Sequence, residues 1–147
     1  MFKHILLPTD GSEIAESAVD AGIELAKALR ARITGFTAVP EYPIPTEGQI
    51  MAHNVETLAQ YEKRAREHGE KILERMASRA RAAGVEIDTH VAMSDSPYRA
   101  IIEAAKNNRC DLVFMASHGR SGFSEMLHGS QAHGVLTHCR IPALIYR

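Results

Sequence analysis

The 147-residue chain carries 17 Lys and Arg against 18 Asp and Glu, a formal net charge of −1, with both signs interspersed. That removes the electrostatic ground for nonspecific nucleic-acid binding, which needs a concentrated basic face. With 45% hydrophobic and 24% charged residues the composition is that of an ordinary globular protein. The length suits one domain, able to remove roughly two-thirds of its unfolded surface from water.

Phe2 to Leu7 reads as a buried strand, stopped by Pro8 and the turn residues Asp10-Gly11. Its apolar run is too short for a signal peptide, and no stretch elsewhere reaches membrane-spanning length. The two cysteines, Cys110 and Cys139, form no CxxC and read as buried free thiols. Together these features predict a cytoplasmic protein without membrane contact. Ser12 is a natural N-cap, with Glu13 and Glu16 in the first turn of a helix whose stripe is Ile14, Ala18, Ala21, Leu25 and Leu29. Ile33 to Val39 forms the second strand, and Pro40 to Pro45 with Gly48 a loop.

From Asn54 to Ala83 the pattern is helical and charged, with a narrow stripe at Leu58, Ala65, Ile72, Met76 and Ala83. Gly84 caps it, and Val85 to Val91 alternates as a strand. Ser96-Pro97 opens a helix that ends near Asn107-Asn108. Leu112 to Ala116 is a continuous apolar run, as in a central parallel strand. A helix from Ser130 to about Cys139 and a strand from Ile141 to Tyr146 close the chain. Strands alternating with helices in this way predict a doubly wound parallel sheet with helices on both faces, in one domain spanning residues 1–147.

In such sheets ligands bind beyond the carboxyl ends of the strands. Two strand exits stand out: Pro8-Thr9-Asp10-Gly11-Ser12, and the loop from Ala116 to Ser130. In the latter, Gly119, Gly122 and Gly129 permit positive φ, so successive N–H groups can form an anion nest. Ser130 opens a helix whose first residues, Gln131-Ala132-His133, carry no acid, which suits phosphate at its amino end. Arg120 can add charge, and His118 can order the loop or approach phosphate. The loop matches neither a Walker A motif nor a dinucleotide GxGxxG. His128, His133 and His138 recur every five residues and share no helix face, so no metal site is expected from them. Ser117, His118 and Asp10 contain the ingredients of a triad but lack a GxSxG elbow.

The spacing Ala116-x2-Gly119-x9-Gly129-Ser130 resembles the nucleotide loop of the universal stress protein family, G-x2-G-x9-G-[ST]. The opening Ile5-Leu6-Leu7-Pro8-Thr9-Asp10-Gly11-Ser12, the triplet Ser117-His118-Gly119 and the closing Ile141-Pro142-Ala143-Leu144-Ile145 also look like that family. The resemblance covers essentially the whole chain. It implies a flavodoxin-like (HUP-type) five-stranded sheet in the order 3-2-1-4-5 and a homodimer. It also implies a site for ATP, or for ADP or AMP. By that resemblance Pro8, Thr9 and Asp10 border the ligand, with Asp10 at the ribose. The backbone of Thr37, Ala38 and Val39 meets adenine. Ala116, His118, Gly119, Arg120, Gly122, Gly129 and Ser130 surround the phosphates, with the backbone of Gln131 assisting. Asp10 is also placed to share a Mg²⁺ carried by the nucleotide, since that cation commonly takes one or two carboxylates plus phosphate oxygens.

One departure is Ala116, where the motif has glycine. If the position needs only close backbone approach, a methyl is tolerated; if it needs positive φ, alanine costs about 1 kcal/mol or more. The expected function is a nucleotide-responsive stress or regulatory dimer, paired through strand 141–146. The alternatives are a slow ATP hydrolase and a nucleotide-free interaction protein.

Overall fold

The computed structural model describes residues 1–117 and 130–147. In chain order the elements are β1 His4–Pro8, α1 Glu13–Leu29, β2 Arg32–Val39, α2 Glu47–Met51 and α3 Leu58–Ala82. There follow β3 Ile87–Met93, α4 Pro97–Asn107, β4 Leu112–Ala116, α5 Ser130–His138 and β5 Ala143–Tyr146. The strands form one parallel sheet in the order β3-β2-β1-β4-β5, as expected.

Alternation along the central strands divides the core in two. Ile5 and Leu7 of β1 with Leu112 and Phe114 of β4 pack under α1 and α3. Leu6, Val113 and Met115 face the opposite way, under α4 and α5. The face that α1 buries includes the predicted Ala18, with Ala21, Leu25 and Leu29 packed at its margin, but is centred to one side of that stripe. Ala15, Ala18, Val19, Gly22, Ile23 and Ala26 are buried, whereas Ile14 is 46% exposed. Close approach to the sheet selects small residues: a Cβ on Gly22 would lie 2.6 Å from Leu7 Cδ1.

Several boundaries differ from the sequence reading: β1 is His4–Pro8 rather than 2–7, and β5 begins at Ala143 rather than Ile141. The stretch after β2 contains the one-turn helix α2, closed by a capping box between Thr46 and Gln49. α3 begins at Leu58, where Thr57 and Gln60 form a second capping box, rather than at Asn54. β3 starts at Ile87 because Val85 is still tied to α3 through its N–H on Ala80 O, at 2.9 Å. Gly84, with φ +78°, supplies the left-handed turn between them. Of the two thiols, Cys110 is buried as expected but Cys139 is only half-buried. No helix among the described residues is long and apolar enough to cross a membrane.

Candidate functional site

The winding reverses between β1 and β4, and there the sheet opens. β1 pairs with β2 as far as Pro8↔Phe36, but with β4 at Ile5↔Leu112 and Leu6↔Val113 and no further. Parallel strands direct alternate residues to alternate neighbours. Thr9 N donates to Phe36 O of β2 and Asp111 N to His4 O of β1, so the backbone of Pro8 faces β4. Proline has no N–H to extend that ladder. The split is therefore written partly in Pro8.

Above the split lies a cavity of about 410 Å³, within the roughly 300–1,000 Å³ usual for small-molecule pockets. Its base is Pro8, Phe36, Met115 and Ala116 at the strand ends. α1 and α3 supply Ala15, His68 and Ile72 on one side; α4 and α5 supply Pro97, Ile101 and Ala132 on the other. Polar groups enter from Thr9, Asp10, Thr37, Ser117, Ser130 and Gln131. Ala38 and Val39 complete its border. Every predicted site residue that the structure describes thus lies on this one cavity. His118, Gly119, Arg120, Gly122 and Gly129 lie outside the described residues. Sequence reasoning missed the walls formed by His68 and Ile72 of α3 and by Pro97 and Ile101 of α4. His68 and Ile72 stand one turn apart, a spacing that shows a shared face but not what it looks upon.

The loop after β1 is ordered by its own side chains. Gly11 N donates to Thr9 Oγ1 at 3.1 Å and Ser12 N to Asp10 Oδ1 at 2.9 Å. Ser12 Oγ then caps α1 by accepting from Ala15 N at 3.3 Å. Gly11 has φ +77°, and a Cβ there would stand 3.2 Å from Ile72, so glycine is needed for both turn and packing. The Thr9 hydroxyl donates to Glu16 Oε1 at 3.3 Å. Glu16 is in turn paired with Arg79, which also holds Asp20 at 2.7 Å. The acid nearest the cavity on α1 is thereby matched by a cation from α3.

The edge of β2 offers backbone to the cavity. Phe36 O is taken from the β1 side by Thr9 N, and Val39 O by Ser94 N at 2.8 Å, beyond β3. The same alternation turns the N–H and C=O of Ala38 away from β3, past the end of β1 and into the split. Ala116 closes β4 in register with Tyr146 and is not among the residues with positive φ. Alanine at this motif position therefore carries no left-handed strain. The first turn of α5 contains no acid. Gln131 reaches across to α4, its Oε1 accepting from Tyr98 N at 2.7 Å. Among the described residues no three His, Cys, Asp or Glu side chains converge as a metal site.

The sequence matches the family model described as Universal stress protein family over residues 1–147. The universal stress protein YxiE of Bacillus subtilis is 30% identical over the full length of both chains. A universal stress protein of Methanocaldococcus jannaschii is 29% identical, covering all of this chain and 83% of its own. Among solved structures, UspA of Lactobacillus plantarum aligns with a TM-score of 0.81 at 18% identity, covering 99% of this chain and 98% of that one. A universal stress protein in complex with cAMP has a TM-score of 0.68 at 23% identity, covering 99% and 97%. An Arabidopsis thaliana family protein with AMP bound has a TM-score of 0.63 at 14% identity, covering 97% and 90%. A protein of Archaeoglobus fulgidus in complex with dAMP has a TM-score of 0.65 at 15% identity, covering 100% and 98%. At these identities the structural likenesses speak for the fold.

Proposed function

The chain belongs to the universal stress protein family, and from that premise we propose that it binds an adenine nucleotide in the cavity above the β1–β4 split and acts as a nucleotide-responsive regulatory homodimer. One observation carries the reading. The expected site residues that the structure describes, Pro8, Thr9 and Asp10 at the end of β1, Thr37 to Val39 of β2, Ala116 of β4 and Ser130 and Gln131 of α5, border a single pocket of suitable size. That solved relatives hold cAMP, AMP and dAMP supports the same ligand class.

Each part of the ligand has a fitting surface. The apolar slot between Phe36, Ile101 and Met115 suits a flat base, and the Ala38 N–H and C=O present a donor and an acceptor to its edge. Asp10, held by the turn to Ser12, is placed for the ribose hydroxyls. Phosphates would lie toward the amino end of α5, whose first turn carries no acid and where the helix dipole favours anions. A Mg²⁺ accompanying ATP would be held by the Asp10 carboxylate together with phosphate oxygens. The β5 edge of the sheet is the proposed dimer contact.

Denaturing the purified protein and identifying the released small molecules tests this reading, together with calorimetric titration by Mg–ATP. Stoichiometric ATP, ADP or AMP, or saturable binding below about 1 mM, is the expected result. An empty protein that ignores nucleotide to millimolar concentration overturns it. Phosphate release near the roughly 10 s⁻¹ of an ordinary enzyme would instead favour the hydrolase.

A further inference from the structure

The first turn of α4 lacks the cap its sequence advertises. Ser96 sits at the N-cap, but its side chain makes no capping hydrogen bond. Pro97 follows and has no N–H, so Tyr98 carries the first amide donor of the helix. That donor is satisfied from another element: Gln131 Oε1, in the first turn of α5, accepts it at 2.7 Å across 33 residues of sequence. Just beyond, the two helices approach too closely for a side chain at Gly134, where a Cβ would meet Tyr98 Cγ at 2.5 Å. Pro97, Ile101 and Gln131 all border the cavity.

We infer that Gln131 is a positioning residue for the cavity. Its side chain ties the opening turn of α4 to the opening turn of α5, so this hydrogen bond, together with the close Gly134–Tyr98 packing beside it, sets the distance between the apolar wall and the proposed phosphate end. This rests on the nucleotide reading above and adds to it a task for the Gln131 side chain, separate from that of its backbone. A ligand drawn to both ends of the slot tightens the tie, and loosening the tie weakens the ligand.

The test compares wild type with Gln131→Met, which keeps length and helix propensity but removes the strong acceptor, and with Gln131→Glu, which keeps an acceptor. Amide exchange at Tyr98 and titration with Mg–ATP are read well below the unfolding midpoint. In Gln131→Met, Tyr98 exchange rises about fivefold or more and ATP affinity falls about five- to tenfold, the worth of one hydrogen bond. Gln131→Glu retains wild-type Tyr98 protection. In wild type, saturating ATP slows Tyr98 exchange further, a readout that stands even if the Met variant fails to fold. Unchanged Tyr98 exchange in Gln131→Met, or faster exchange with unchanged ATP affinity, overturns the inference. Wild-type protein that takes up no ATP defeats the nucleotide reading itself, and this inference with it.

Discussion

His4 opens β1 as a buried residue, 6% exposed, with Nε2 2.7 Å from Thr34 Oγ1. Burial disfavours the imidazolium, and Arg32 on β2 adds repulsion. Asp111 beside β4 and Asp88 on β3 oppose both, yet the pKa is lowered from its ordinary 6.5. The unfolded chain therefore binds a proton before the folded one does. Stability falls as pH drops below about 6.5, and the loss levels off once the folded pKa is passed. Urea midpoints measured from pH 7.5 to 5.0 should decline less steeply in His4→Asn than in wild type, whatever the offset between the two proteins. Parallel slopes would show that His4 does not titrate on unfolding. Nearby, burial pushes the Cys110 thiol up to about 11, although Thr34 donates some relief. Little thiolate forms at pH 8, so a disulfide reagent should label Cys139 in the native protein and Cys110 only after denaturation. Mass mapping of the labelled peptides decides this; native labelling of Cys110 at a rate near that of Cys139 would contradict its burial.

Glycine substitutions separate local propensity from packing at the scale of elements. Gly48 lies inside α2 with nothing within 4 Å of an added Cβ. Gly48→Ala should be neutral or stabilising by up to about 1 kcal/mol. Gly134→Ala gains the same propensity, but its methyl meets Tyr98 near the base of the ring, at Cγ and Cβ, where the side chain cannot swing aside. Overpacking of this kind costs about 1–3 kcal/mol, so a net loss in denaturant unfolding is expected; a stabilised Gly134→Ala would mean α4 and α5 are not in close contact. The same distinction explains what the sequence could show. β4 was legible from its continuous apolar run, and α4 from Ser96-Pro97, because those signals are local. The buried face of α1 was found only in part, through Ala18, Ala21, Leu25 and Leu29, because Ala15, Gly22 and Ala26 are chosen for closeness to the sheet, not for hydrophobicity. α2 is one turn long, with no buried residue to set a period. At the candidate site, Asp10 and Ser130 were found through their motifs, and Ala38 only through what the family resemblance implies. His68 and Ile101 were not, because no local pattern reports which helix faces meet across a sheet.

For the molecule as a whole, the proposed ligand binding and the proposed subunit pairing are separate equilibria. Nucleotide at a hundred times its dissociation constant would stabilise the fold by about 2.7 kcal/mol. For a chain of this size that corresponds to a rise of roughly 5–10 °C in the unfolding midpoint. The proposed pairing turns on the two edges of the sheet, which differ in kind. The β3 edge carries Asp88, Thr89 and His90, all exposed, and charged or polar side chains discourage strand addition. The β5 edge, Ala143–Tyr146, carries no charge within the strand, and Leu144 is 40% exposed, with Leu136 of α5 at 56%. Pro142 precedes the strand and does not interrupt it; its carbonyl accepts from Val113 N. A second copy pairing at β5 would satisfy the open backbone groups and cover this apolar surface. Leu144→Lys places a charge there without disturbing the core, so fold stability should change by no more than about 0.5 kcal/mol. Light scattering at micromolar concentration should then give twice the chain mass for wild type and the single chain mass for the variant. If the residues of one chain that line the cavity suffice for the ligand, the monomeric variant should still bind Mg–ATP with wild-type affinity. Loss of binding on monomerisation would mean that the partner completes the site, and a monomeric wild type would remove the dimer from the proposed function altogether.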